Sequence, residues 1–169
     1  MAKRLLFFAI LFLASICMQA QSIVGTWKNS MTGDGMKIDI YYIFSPNTVN
    51  IKFTATIHNA ELGTFVFTTT IPSSYTKKGN KLTLKAQTQN VKMTMDKMEL
   101  VSNIQEIASQ NPDFKKMIED KMKKVMEQSM KEMTEEMVED GELTILRNDG
   151  INLTIRDKSR NDMNFIKEK

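Results

Sequence analysis

From Ile23 to Gln87 apolar residues recur at every second position, and the breaks between runs carry turn residues, which is the pattern of an antiparallel meander. The first strand is expected over Ile23 to Asn29. A second, Met36 to Phe44, follows the turn Thr32-Gly33-Asp34-Gly35 and places Met36, Ile38, Ile40, Tyr42 and Phe44 on one face. Ser45-Pro46-Asn47-Thr48 suits a type I turn. The third strand then sets Val49, Ile51, Phe53, Ala55 and Ile57 against Asn50, Lys52, Thr54, Thr56 and His58. Leu62 to Ile71 and Lys81 to Gln87 complete five strands. Val91, Met93 and Met95 alternate in the opposite phase to Leu82, Leu84 and Ala86, which implies a bulge near residues 88–90 or a separate strand.

The period then changes. Ser102 with Gln105 fits a capping box, and Asn111-Pro112 restarts a helix with proline at its first position. Phe114, Met117, Ile118, Met122, Val125, Met126, Met130, Met133, Met137 and Val138 step by three and four along one face, as far as Gly141. Such a helix is roughly 42 Å long at 1.5 Å per residue. Strand patterning returns at Glu142 to Arg147, Ile151 to Arg156 and Asp162 to Lys167, with Asn148-Asp149-Gly150 as a hairpin signal. The expected fold is mainly β: eight antiparallel up-and-down strands, closed into a barrel to remove exposed edges, with a long amphipathic helix between the fifth and sixth.

Composition changes the picture at the N-terminus. Lys3 and Arg4, an apolar run from Leu5 to Cys17, and Met18-Gln19-Ala20 read as a secretory signal cleaved after Ala20. The run is shorter than the roughly 20 residues that span a bilayer. The expected organisation is a signal peptide at 1–20 and one domain at 21–169, with its helical insertion at about 98–140. Cleavage leaves 149 of 169 residues. Losing Lys3 and Arg4 takes the net charge from +3 to +1, losing Met1 and Met18 takes methionine from 14 to 12, and losing Cys17 removes the single thiol. Lipid attachment at Cys17 is disfavoured by the bulky Ile16 before it. The destination is therefore the periplasm or the medium, and the fold rests on its core without disulfides.

Gly25-Thr26-Trp27, on the first strand and containing the only tryptophan, resembles the G-x-W signature of the lipocalins and other calycins. The resemblance covers residues 23–96 and 142–167. It implies a Trp27 packed across one barrel end against a late-strand arginine, with Arg147 and Arg156 as candidates. It also implies a small hydrophobic or lipid-like ligand, with Trp27, Tyr42, Phe53, Phe65 and Phe67 lining a pocket or forming the core that replaces it. Lipocalins usually carry their helix after the last strand, and fatty-acid-binding relatives insert a helical pair after the first. Helices after the fifth strand leave open whether the interior is empty, capped or filled.

Met117, Met122, Met126, Met130, Met133 and Met137 share the helix stripe, and three readings stand: packing on the barrel, an adaptable surface for a lipid, membrane or partner protein, or a thioether site for Cu(I). Residues 115–124 carry a net +3 and 131–140 a net −4, the reverse of what the helix dipole favours. That polarity suits antiparallel pairing in a homodimer, basic half on acidic half. The remaining chemistry is sparse. His58 is the only histidine, on a polar strand face, and no phosphate loop, cysteine pair or zinc spacing occurs. Interleaved charges leave no nucleic-acid footprint. The expectation is a non-enzymatic binding protein without metal or cofactor, the alternative being a solid-barrel interaction module working through its methionine helix.

Overall fold

A computed structural model describes residues 22–139 and 141–168, with the backbone alone at Met130 and residues 133–139. The expected signal segment with Cys17 lies outside the described residues. The described residues form nine strands and two α-helices: β1 (Gly25–Gly33), β2 (Met36–Phe44), β3 (Thr48–Asn59), β4 (Gly63–Lys78), β5 (Lys81–Ala86), β6 (Lys92–Leu100), α1 (Ser102–Gln110), α2 (Pro112–Glu139), β7 (Glu142–Asn148), β8 (Asn152–Arg156) and β9 (Asp162–Lys167). All strand pairings are antiparallel, in the order β3-β2-β1-β9-β8-β7-β5-β4, and β3 pairs with β4 to close an eight-stranded barrel. The ninth strand, β6, stands outside that ring, paired with β4.

The sixteen-residue β4 decides this arrangement. One edge pairs with β3 over Thr48–Asn59, while the other is shared: Gly63–Thr70 faces β6 and Ser73–Lys78 faces β5. Pro72 stands at the changeover. Its carbonyl accepts from the Gln87 N–H, so its nitrogen points to the same edge, at the one level where neither partner strand needs a donor there. A single 3-10 turn at Thr88–Asn90 carries the chain from β5 to β6. The phase break in the sequence is therefore a separate strand, so the helices follow a sixth strand rather than the fifth.

Turn chemistry accounts for the hairpins. Asp34 and Gly35, at φ of 46° and 75°, form the two-residue β1–β2 connection with both centres left-handed, which matches strand twist. The β7–β8 turn is held by the Asp149 carboxylate, which accepts from the Ile151 and Asn152 backbone N–H groups and from Arg147 Nε. Gly63 opens β4 with φ of 130°, where the end of β6 crosses so closely that a Cβ would lie 1.9 Å from the Glu99 carbonyl oxygen.

Helix ends divide in the same way. Asn111 Oδ1 accepts from the Phe114 N–H at 3.2 Å, so the Asn-Pro start of α2 is a real cap. The expected Ser102–Gln105 box is absent. Ser102 is already inside α1, whose N-cap is Val101 with no side-chain cap bond, and the Gln105 N–H donates to the Val101 carbonyl. Along α2, Lys123 and Glu119 pair at 2.7 Å one turn apart, and the lysine holds the Glu119 carboxyl below its usual range.

The barrel has two parts. At the end where β1 meets β9, the wall is closed and filled by Trp27, Tyr42, Phe44, Val49, Ile51, Ile71, Leu153, Ile155 and Phe165. Beyond it β1, β2, β3, β4 and β6 continue as a five-stranded half. Ile118 and Met126 of α2 enter the same apolar core, with Ile104, Phe114 and Met122 packed against it. Besides each other, the helices touch chiefly β5 and β6.

Replacing Gly63 by Ala is expected to cost on the order of 2–4 kcal/mol, from backbone strain plus displacement of the β6 end, read as a lower denaturant midpoint. Asp149 is held well below the usual carboxylate range, first by the Asn152 N–H, then by the Asn152 side chain and the Ile151 N–H, with Arg147 adding to them. A depressed folded pKa stabilises above the unfolded value of about 4 and loses that contribution as pH falls through the folded value. Asp149→Asn is therefore expected to give a shallower fall in stability below about pH 4 than the parent shows in acid-denaturation curves.

Candidate functional site

The G-x-W segment explains itself at the β1–β9 junction. Among the described residues two pairs join these strands, Trp27 with Lys167 and Lys28 with Ile166, extended by the Glu168 N–H donating to the Thr26 carbonyl. Trp27 is fully buried behind this seam, and its indole N–H donates to the Ile23 carbonyl at 2.6 Å. The cation above the indole is Lys167, with Nζ 5.3 Å from the ring. Neither expected arginine is there: Arg156 is bidentate on Asp162 at 2.6 and 2.9 Å, and Arg147 pairs with Asp149, each with its nearest hairpin partner. Gly25 completes the unit. A Cβ there would sit 2.8 Å from Lys167 Cε, so the missing side chain is the space through which the lysine stem reaches the tryptophan.

Aromatic contacts continue across this end. Tyr42 lies 4.9 Å from Phe165 and 5.9 Å from Phe44, and Phe44 meets Tyr75 edge-on at 5.2 Å. Burial pushes the Tyr42 phenol well above its ordinary pKa, so it is neutral at physiological pH. Trp27, Val49, Leu82, Leu153 and Ile155 expose none of their surface, which leaves no water-sized void against them. Outside, Ser22, Ile23, Val24, Pro46, Asn47, Tyr75, Thr76 and Lys77 line an open depression of about 520 Å³.

The five-stranded half is different. Cross-strand pairing aligns Met31, Ile38, Ala55, Phe67 and Met95 in one inward row, and Gly33, Met36, Ile57, Phe65 and Met98 in the next. Five strands about 4.8 Å apart make a floor roughly 19 Å across. It is sealed at its β4 side, where Phe65 and Phe67 are buried, and uncovered at its β1 side, where Met31 is 50% exposed and Met36 is also open. Ala55 leaves a dip in the middle between larger neighbours. The strand edges flanking this half are free: among the described residues β1 has no partner beyond Lys28 on its outer edge, and β6 pairs with β4 alone.

The five aromatic residues singled out in the sequence therefore fall into two groups. Phe65 and Phe67 lie on the apolar floor and Phe53 one row below, beside Ile40 and Thr69, whereas Trp27 and Tyr42 belong to the filled end. Alternation in the sequence already set Met36 and Met95 inward; what it missed on the floor was Met31, which lies two positions beyond the expected end of the first strand, and Met98, which faces Phe65 only because a bulge shifts the β4–β6 register between Val66 and Phe67. The helix methionines are not one outward face. Met126 is buried in the core, Met122 is half-buried, Met117 is 56% exposed, and the side chains of Met130, Met133 and Met137 lie outside the described set. His58 is exposed and shares a 3.0 Å hydrogen bond with Thr64. Among the described residues no cluster of His, Cys, Asp and Glu could hold a metal ion, and no helix is long and apolar enough to cross a membrane.

No family model, curated protein or solved structure matches the chain.

Trp27→Ala is expected to lose about 3–5 kcal/mol of stability, since it opens the space behind the seam. Lys167→Met, which keeps the stem and removes the cation, is expected to lose only about 0.5–1 kcal/mol. Paired urea titrations of the two variants check this ranking.

Proposed function

We propose that this chain is an exported, non-enzymatic, lipocalin-like protein that binds a small apolar or lipid-like molecule on the floor of its five-stranded half, beneath the helical insertion. The observation that carries the reading is the gradient along the two inward rows, from sealed aromatic residues at β4 to open methionines at β1. A ligand tail admitted past Met31 and Met36 would lie along Ile38, Ile57 and Ala55 towards Phe65 and Phe67. Methionine suits such a surface because an unbranched thioether repacks around varied shapes. The helices serve as a cover, with α2 anchored through Ile118 and Met126 while the β1 side stays open. The filled end supplies rigidity rather than a pocket, and Trp27 with Tyr42 then act as packing residues. The Gly25-Thr26-Trp27 resemblance and the apolar segment before residue 20 support the lipocalin-like and exported parts of this reading.

The second reading, an interaction module that works through its helices, is favoured by the exposure of Ile107, Met117 and Val125 on α1 and α2. It would use these residues against a partner protein or a second copy.

The two are separated by titration with cis-parinaric acid, a fluorescent fatty acid. Saturable uptake displaced by unlabelled lipid is expected, weakened about tenfold or more by Met31→Lys with Met36→Lys and unchanged by Met117→Lys. Both altered floor positions are exposed, so folding is preserved. Absence of saturable uptake overturns the proposal, and a micromolar dimer abolished by Met117→Lys would establish the helical reading in its place.

A further inference from the structure

The outer face of the five-stranded half carries a line of cations that the apolar floor does not use. Cross-strand pairing sets Lys28 opposite Tyr41, Tyr41 opposite Lys52, Lys52 opposite Thr70, and Thr70 opposite Lys92. These side chains stand on one level of β1, β2, β3, β4 and β6, and they face outward because their chain neighbours Trp27, Tyr42, Ile51 and Ile71 are buried inward. With strands about 4.8 Å apart, lysine recurs every second strand, at intervals of roughly 9.6 Å.

Tyr41 organises one end of the line. Lys28 Nζ lies 5.1 Å from its ring centroid and Lys52 Nζ lies 5.7 Å from it, so one ring holds two ammonium groups on either side. Lys28 also reaches Asp39 at 3.7 Å, a carboxylate on the next level that Lys37 holds at 3.2 Å and Ser30 hydrogen-bonds. Among the described residues Lys52 and Lys92 have no carboxylate partner. The levels on either side, as far as β4, are otherwise hydroxyl, amide and apolar side chains, apart from Asp39 itself.

We propose that this line binds a linear acidic polysaccharide carrying one negative group on every second sugar. Two linked hexoses advance about 10 Å, which matches the roughly 9.6 Å lysine interval across two strands. Denser polyanions would leave about two charges in three without a lysine. A DNA strand places a charge every 3.4 Å or so along its axis, and an extended acidic peptide advances about 3.3–3.6 Å per residue. An anionic membrane offers charge in two dimensions, whereas Lys28, Lys52 and Lys92 stand on one level of the sheet. The flanking threonine hydroxyls donate and accept, as sugar hydroxyls require.

The test is calorimetric titration of the full chain with a hyaluronan octasaccharide, whose carboxylates sit on alternate sugars, at low salt. Saturable binding is expected, weakened about tenfold or more by Lys52→Gln with Lys92→Gln and by a smaller factor by Tyr41→Ala. Lys85→Gln, on β5 away from the line, is expected to leave it unchanged. All variants sit on outward positions, and an unaltered melting temperature certifies their folding. The proposal is overturned by no saturable binding, by equal affinity for polyglutamate, by stronger retention on phosphatidylglycerol vesicles, or by Lys52→Gln/Lys92→Gln binding as tightly as the parent.

Discussion

Closure of this barrel rests on a seam of two residue pairs. Among the described residues strands β1 and β9 meet at Trp27–Lys167 and Lys28–Ile166, and that contact joins the two ends of the described chain and turns a curled sheet into a ring. So short a ladder contributes little by hydrogen bonding alone, since each bond nets about 1 kcal/mol against water. What makes it hold is the indole behind it, buried completely and tied to Ile23, with Lys167 laid across it through the space that Gly25 leaves. Gly25, Trp27 and Lys167 form one structural device, in which the glycine admits the lysine and the lysine covers the tryptophan.

The shared edge of β4 imposes the second constraint. Because β5 and β6 divide that edge at Pro72, the closed wall cannot run the full length of the long strands, and the far half is left as an open sheet. An open sheet needs something over its apolar face, and the helical insertion meets part of that need. The outcome is a molecule with a rigid end and an adaptable end. Aromatic and branched side chains fill the first, whereas methionines on β1, β2, β6 and α2 gather in the second, a division that follows from shape: a closed ring can be packed once, while a sheet under a partial cover must tolerate mismatch.

Much of the architecture was legible in the residues. Alternation placed Met36 to Phe44 without error, and Asn148-Asp149-Gly150 marked its hairpin because Asp149 can bond the backbone ahead of it. Other features were hidden for physical reasons. The reach of β4 beyond Ile71 was obscured by Pro72, which reads as a break unless its nitrogen happens to face an idle edge. Ser102 looked like a cap but was displaced by one residue into the helix, where Val101 does the capping through its backbone alone. Arg147 and Arg156 were drawn to acids two and six residues away, and local pairing of this kind outcompetes a distant indole. At the candidate site, Phe53, Phe65 and Phe67 were identifiable from their phase, but their separation from Trp27 and Tyr42 depends on where β6 pairs, which no local pattern encodes.

The seam also orders events in time. Strands β1 to β4 join by successive hairpins, so they can pair soon after their residues are made, whereas the partner of Trp27 lies at Lys167, near the opposite terminus. Loop closure over such a separation is slow compared with hairpin formation. Pairing among β1 to β4 needs none of the last three strands, whereas the wall closes only once β9 supplies the partners of Trp27 and Lys28. Closure still leaves the β1 edge beyond Lys28 without a strand partner among the described residues.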